Sequence, residues 1–209
     1  HFGYEEAMAK HGVLMPRFQF KDTMARLDKI FSLLQQQLKI EKLEAIVVNG
    51  DLKHDFGTIS DQEWRDVLKL LDFLQQHSNQ VILIKGNHDI KLAPIARKRG
   101  IVVVENIAIN DKFICHGHQV PASKEFKNSK VVIVGNEHPA VSLREGPRSE
   151  LYKCFLLGKW KGKKMIVMPS FNQVTTGTDI LKETFISPFM QQDLSKFEVF
   201  VAGDETYRF

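Results

Sequence analysis

The sequence predicts an α/β chain whose strands form two sheets packed face to face, with helices outside. Three observations predict it. Short β-branched runs, apolar on both faces, recur along the chain, as strands buried between layers do. Helical apolar periods separate the first of these runs, and after Gly100 the runs crowd together with little helical period between them.

From Phe20 to Lys39 the residues Met24, Leu27, Ile30, Phe31, Leu34 and Leu38 recur at spacings of three and four, which gives an amphipathic helix. Ala45-Ile46-Val47-Val48 follows as a strand. Ser60 with Glu63 is a capping box, and Trp64, Val67, Leu68, Leu71 and Leu74 carry the helical period to about His77. Val81 to Ile84 is the next strand, Arg97-Lys98-Arg99 the basic end of a short helix, and Ile101 to Val104 a further strand. Helix and strand thus alternate, which argues for parallel pairing through crossovers. Beyond Gly100, Phe113 to Cys115, Val131 to Val134, Lys153 to Leu157, Met165 to Met168 and the alternating Phe197 to Val201 predict a second, more antiparallel sheet. The stretches Gln119 to Lys130 and Thr175 to Gln192 show no readable period.

With 209 residues, 43% hydrophobic and 26% charged, the composition is that of an ordinary globular chain, and one domain over residues 1–209 is expected. The net charge of +4 permits a phosphate-bearing partner without by itself arguing for nucleic acid. Two cysteines, Cys115 and Cys154, each inside an apolar run, fit a reducing, cytoplasmic setting. No run approaches the roughly 18 apolar residues of a membrane helix, so a soluble protein without membrane contact is expected.

The strands end in polar groups. Ala45 to Val48 runs into Asn49-Gly50-Asp51, Val81 to Ile84 into Gly86-Asn87-His88-Asp89, Phe113 to Cys115 into His116-Gly117-His118, and Val131 to Val134 into Gly135-Asn136-Glu137-His138. Residues just past the carboxyl ends of strands gather in one crevice of an open α/β sheet. Six of the eight histidines (His1, His54, His88, His116, His118 and His138) lie in or beside such loops. Carboxylate, amide carbonyl and imidazole together are the donor set of Mn, Fe or Zn, and their number suits a pair of ions that clamp a phosphoryl group. Thiolate is not part of it: Cys115 precedes His116 in a strand, points to the other face and reads as a buried, inert thiol.

This series, with His1-Phe2-Gly3-Tyr4-Glu5, Gly50-Asp51-Leu52-Lys53-His54-Asp55-Phe56, His138-Pro139-Ala140, Leu143-Arg144-Glu145-Gly146 and Pro169-Ser170-Phe171-Asn172, resembles the calcineurin-like metallophosphoesterase superfamily. Within it, the chain is similar to a subgroup of predicted phosphoesterases, some of which accompany a DNA ligase and helicase. The resemblance runs from His1 to about Asp179. It implies a four-layer α-β-β-α sandwich with two mixed sheets and a dinuclear phosphoesterase. Asp51 would bridge two divalent ions, His1 and His138 would hold the first, and Asn87, His116 and Asn136 the second. Mn is the expected metal, with Fe, Zn, Ni and Mg as alternatives. A hydroxide bridging the ions would attack in line while His88, oriented by Asp89, assists the leaving oxygen.

Two departures from the family pattern stand out. Its first motif is Asp, any residue, His, so the Asp and its strand are expected to precede His1. Asn136 stands where the pattern has His; an amide carbonyl is a harder, weaker donor, expected to loosen the second site and favour Mn or Mg. Lys53 and His54 could touch a substrate phosphate or be solvated, and His118 is expected at the site beside His116. Lys159-Trp160-Lys161-Gly162-Lys163-Lys164 reads as a hairpin turn guarded by lysines rather than a base-stacking platform. The expected activity is hydrolysis of nucleic-acid or nucleotide phosphodiesters, with DNA-repair partners. The other reading is a weakened metallophosphoesterase fold kept as a scaffold or nucleic-acid-binding subunit.

Overall fold

The computed structural model describes residues 1–54, 57, 59–203 and 206–208, with side chains of 206–208 left aside; Asp55 and Phe56 of the second motif lie outside the described residues. The chain divides into two compact units, one of His1–Glu105 with Asn172–Val174, the other of Asn106–Phe171 with Thr175–Phe209. Together they make a mixed α/β chain with two sheets. No helix among the described residues is long and apolar enough to cross a membrane.

The first unit holds α1 (Tyr4–Lys10), α2 (Gln19–Leu38), β1 (Leu43–Asn49), α3 (Asp61–His77), β2 (Ser78–Ile84), α4 (Ala93–Arg97) and β3 (Val103–Val104). Its sheet, in the order β1-β2-β3, is parallel throughout, as the alternation of helix and strand requires. The α3 stripe of Val67, Leu70, Leu71 and Leu74 is buried with Val81 and Leu83 of β2, and Phe31 of α2 joins the same core, with Met24, Leu27, Ile30 and Leu34 packed against it. Leu38, at the end of the α2 period, stays 57% exposed. The capping box at Ser60 and Glu63 forms as the sequence predicts.

The run from Ile101 to Val104 yields a strand of only two residues. The reason lies in the end of the preceding helix: Gly100 takes φ +64° and the Ile101 N–H returns 3.1 Å to the Ala96 carbonyl, closing the helix with backbone that pairing would need. At the start of the chain, Phe2 lies parallel beside Lys53. Its N–H donates to the Leu52 carbonyl (2.8 Å), and its carbonyl accepts the His54 N–H (3.0 Å). That pairing sets His1 next to the end of β1.

The second unit holds β4 (Asn106–Ile109), β5 (Lys112–Cys115), α5 (Lys124–Asn128), β6 (Val131–Val134), β7 (Pro139–Glu145), β8 (Arg148–Trp160), β9 (Lys163–Val167), β10 (Thr178–Asp179), β11 (Glu198–Ala202) and β12 (Thr206–Arg208). Its nine described strands run in the order β10-β7-β8-β9-β6-β5-β4, with β11 on β8 and β12 on β11. Pairing is mixed. The β5-β6, β6-β9 and β7-β10 pairs are parallel, while β4-β5, β7-β8, β8-β9, β8-β11 and β11-β12 are antiparallel. One face carries Phe113, Val132, Val134, Leu156, Met165 and Val167 into a core closed by Phe126 and Phe189. Phe126 comes from α5 and Phe189 from 175–192, so both stretches without a readable period supply core.

Candidate metal centre

In the first unit, Gly50 and Asp51 at the end of β1 both take positive φ, +85° and +55°. Left-handed backbone costs a side-chain-bearing residue on the order of 1 kcal/mol. Five described non-glycine residues adopt it; Lys39 caps a helix, Asn110 and Lys161 sit in hairpin turns, and the remaining two are Asp51 and His138. Both are candidate ligands. Strain kept at such positions is the kind that surrounding bonds must hold in place.

For Asp51 those bonds are visible. Its carboxylate Oδ1 accepts the His88 N–H (3.0 Å), its carbonyl accepts the His1 N–H (2.6 Å), and its Oδ2 lies 3.8 Å from His1 Nε2. Donors bonded to one ion at about 2.0–2.2 Å stand roughly 3–4 Å apart, so this imidazole and carboxylate fit a shared divalent cation. Gly86 makes the approach possible: a Cβ there would come within 2.0 Å of Asp51 Oδ1. Gln19 Nε2 holds the His1 carbonyl at 3.3 Å. Asn87 lies half-buried between Gly86 and His88 in the same loop.

Asp89 does not orient His88. Its fully buried carboxylate accepts the Lys53 N–H (3.1 Å) on Oδ1 and the Gly86 N–H (3.0 Å) on Oδ2, tying the loop after β1 to the loop after β2. Burial, joined by the nearby charge of Asp51, pushes its carboxyl above the ordinary value, against the pull of those two N–H groups. The His88 ring meets the His54 carbonyl, 2.7 Å from Nδ1. A carbonyl only accepts, so Nδ1 carries a proton and Nε2 is the nitrogen left to exchange one. The His54 ring packs against Tyr4 (4.9 Å), His1 (5.9 Å) and His88 (6.1 Å), which makes one cluster of three imidazoles.

Lys53 is neither solvated nor on a substrate phosphate. It is fully buried, with Nζ 3.3 Å from Glu63 Oε1. Glu63 also accepts the His54 N–H (2.9 Å) and the Ser60 N–H (2.8 Å). One carboxylate therefore caps α3, neutralises Lys53 and fixes the segment whose carbonyl holds the His88 ring. Its local spacing from Ser60 signals the cap alone; the other two partners arise only in the fold.

In the second unit, His116 follows β5, is buried, and accepts the N–H groups of Gly135 and Asn136 on its carbonyl, both at 2.9 Å. This ties the loop after β5 to the loop after β6 and sets Asn136 beside His116 in the backbone. The exposed His118 ring lies 5.7 Å from that of His116. His138, at φ +49°, is held through its carbonyl by the Thr178 N–H (2.9 Å), and a Cβ on Gly177 would meet that same oxygen at 2.3 Å. Ser187 completes the support. Its hydroxyl donates to the Gly117 carbonyl (2.6 Å) and its N–H to the buried Glu137 carboxylate. Cys115 and Cys154 are buried, and burial pushes both thiols up to about 12.

Carboxylate, amide and imidazole groups borne on the loops after β1, β2, β5 and β6, with no thiolate among them, are a donor set for divalent metal ions. The chain belongs to the calcineurin-like phosphoesterase family, whose model matches residues 11–182. No curated protein matches it. Among solved structures it is similar to a single mutant of Vps29 from Entamoeba histolytica, at 15% identity and a TM-score of 0.37 over 85% of this chain and 89% of that one. Wild-type Vps29 complexed with zinc, from the same organism, matches at 17% identity and a TM-score of 0.31 over 79% of this chain and 97% of that one.

Proposed function

We propose that the chain is a dinuclear phosphodiesterase acting on nucleic-acid or nucleotide diesters, with His1, Asp51, Asn87, His116, Asn136 and His138 holding two divalent ions, Mn the foremost. The observation that carries the reading is Asp51, a carboxylate kept in left-handed backbone with one oxygen locked by the His88 N–H and the other turned toward His1. Bound divalent ions would neutralise phosphoryl charge and acidify a water. His88, anchored through Nδ1 on the His54 carbonyl, would present Nε2 to the leaving oxygen and hand it a proton. His54 and His118 would contact the substrate. Asp89 is a positioning residue that holds two ligand loops together.

Kinship with the ligase-associated subgroup, and with it a DNA-repair setting in the cytoplasm, rests on the residue strings quoted above. One observation favours a second reading: Asn136 in place of an imidazole weakens the donor set of the second ion, as a scaffold or nucleic-acid-binding subunit could tolerate. Calorimetric Mn titration separates the two. The dinuclear reading predicts two ions per chain, the second bound more tightly in Asn136→His, together with faster cleavage of a chromogenic diester than of the matching monoester. One ion or none, with no turnover of either ester, contradicts it.

A further inference from the structure

The second sheet carries a line of lysines that the hydrolytic reading does not use. Register places Lys112 of β5 opposite Val131 of β6, Val131 opposite Lys164 of β9, and Lys164 opposite Lys159 of β8. Residues in direct register share a face, so these four form one straight row across four neighbouring strands. The next row, Phe113, Val132 and Met165, points to the other face and into the core. All three lysines of the row are exposed, and Lys127, Lys130 and Lys161 lie exposed at the same end of the sheet. The described carboxylates there are Asp111, already paired with Lys112 at 3.2 Å, Glu125 on α5, and Glu198 of β11, which lies opposite Leu157 on the face of Lys159.

Two ordinary explanations fail. Lysines guard exposed sheet edges, yet Lys112 and Lys164 each lie between two paired strands, and only Lys159, beyond the last β8 residue that pairs with β11, stands at an open edge. Lys159 and Lys164 also sit directly opposite one another, an arrangement that like charges destabilise. A stacking platform fails too, because Trp160 is buried against Phe126 and Phe189, and Lys161-Gly162 merely closes the β8-β9 hairpin with positive φ at both positions.

We infer that this row binds the phosphate backbone of a nucleic acid, without reading its sequence. Strands about 4.8 Å apart give a row roughly 15 Å long, which spans about four charges of one DNA strand at 3.4 Å per charge. A line of point charges suits a linear polyanion. Arginine, which reads base edges in bidentate fashion, is absent from the row, and among the described residues no exposed aromatic stands there to insert into a membrane. The row lies at the amino ends of β5, β6 and β9, whereas His116 and Asn136 follow the carboxyl ends of β5 and β6. The phosphates it holds are therefore not those at His116 and Asn136, and the inference stands apart from the hydrolytic reading.

The test is fluorescence anisotropy with a labelled 30-base-pair duplex in EDTA, which removes catalysis from the measurement. The wild type should bind two unrelated sequences equally. Lys112→Gln/Lys159→Gln/Lys164→Gln should weaken binding about tenfold or more and lower the salt slope by about 2–3, near 0.9 per lost contact. The equal charge change Lys21→Gln/Lys29→Gln/Lys98→Gln on the first unit should leave both nearly unchanged, and circular dichroism should show all three proteins folded. The inference is overturned if the two triple variants behave alike, if the wild type does not bind duplex at 50 mM salt, or if it binds anionic phosphatidylserine vesicles and no DNA.

Discussion

The two units fasten their ligand loops by different means. Among the described residues of the first, six charged side chains are buried (Glu5, Asp51, Lys53, Glu63, Asp66 and Asp89), and the loops after β1 and β2 hang on carboxylates that accept backbone N–H groups. Among the described residues of the second, only Glu137 and Asp179 are buried charges, and His116 and Asn136 are set mainly by backbone-to-backbone bonds, with Ser187 joining the Gly117 carbonyl to the Glu137 carboxylate. The difference teaches where precision is costly. A buried carboxylate holds a loop strongly, but its removal leaves desolvated partners behind, whereas a backbone bond survives almost any side-chain change.

That contrast predicts a gradient of damage. The largest effect should follow Glu63→Ala, which breaks the buried Lys53–Glu63 ion pair and removes the cap of α3. A loss of about 3–5 kcal/mol is expected from breaking that buried pair, read as a lower urea midpoint. Glu63→Gln keeps one acceptor oxygen, enough for the His54 N–H or the Ser60 N–H but not for both, and should restore part of the kcat that Glu63→Ala loses, with KM little changed. Equal kcat in wild type and Glu63→Ala would show that the His54 carbonyl is placed by something else.

In the second unit, Asp179→Ala should cost less, about 1–3 kcal/mol. Although burial raises the Asp179 carboxyl, hydrogen bonds from the Ser142 hydroxyl and the Leu181 N–H, with Lys182, hold it at about 2. A carboxylate depressed in the folded state contributes stability that is present above its unfolded value near 4 and lost as pH falls through about 2. The gap between wild type and Asp179→Ala should therefore be full at pH 6 and narrow from pH 4 downward. A gap that widens below pH 4 would contradict the assignment. The smallest effect concerns Cys115 and Cys154. With both thiols at about 12, maleimide at pH 7.5 should label the native protein far more slowly than the urea-unfolded chain.

Much of this was legible in residues alone, because short β-branched runs and the Ser60–Glu63 spacing are local signals. The β6 strand matches its run of four valine and isoleucine residues from end to end. What was hidden depends on distant partners. Asp89 reads as an orienting carboxylate beside His88, yet it serves the N–H groups of Lys53 and Gly86, and nothing in the sequence places Lys53 in the core. Ser187 sits in a stretch with no period, and its contacts with Gly117 and Glu137 span 70 and 50 positions. The β3 strand shortened because the close of α4 took the Ile101 N–H.

The central claim is that this chain hydrolyses phosphodiesters through a metal centre served by His88. Its most direct test is turnover of a chromogenic phosphodiester by the full-length protein, first metal-free and then titrated with Mn, beside His88→Ala. The account predicts no turnover without metal, saturable turnover with Mn, and a kcat lower by about 10²–10⁴-fold in His88→Ala with Mn binding retained. Turnover that is indifferent to Mn, or a His88→Ala variant as fast as the wild type, would contradict it.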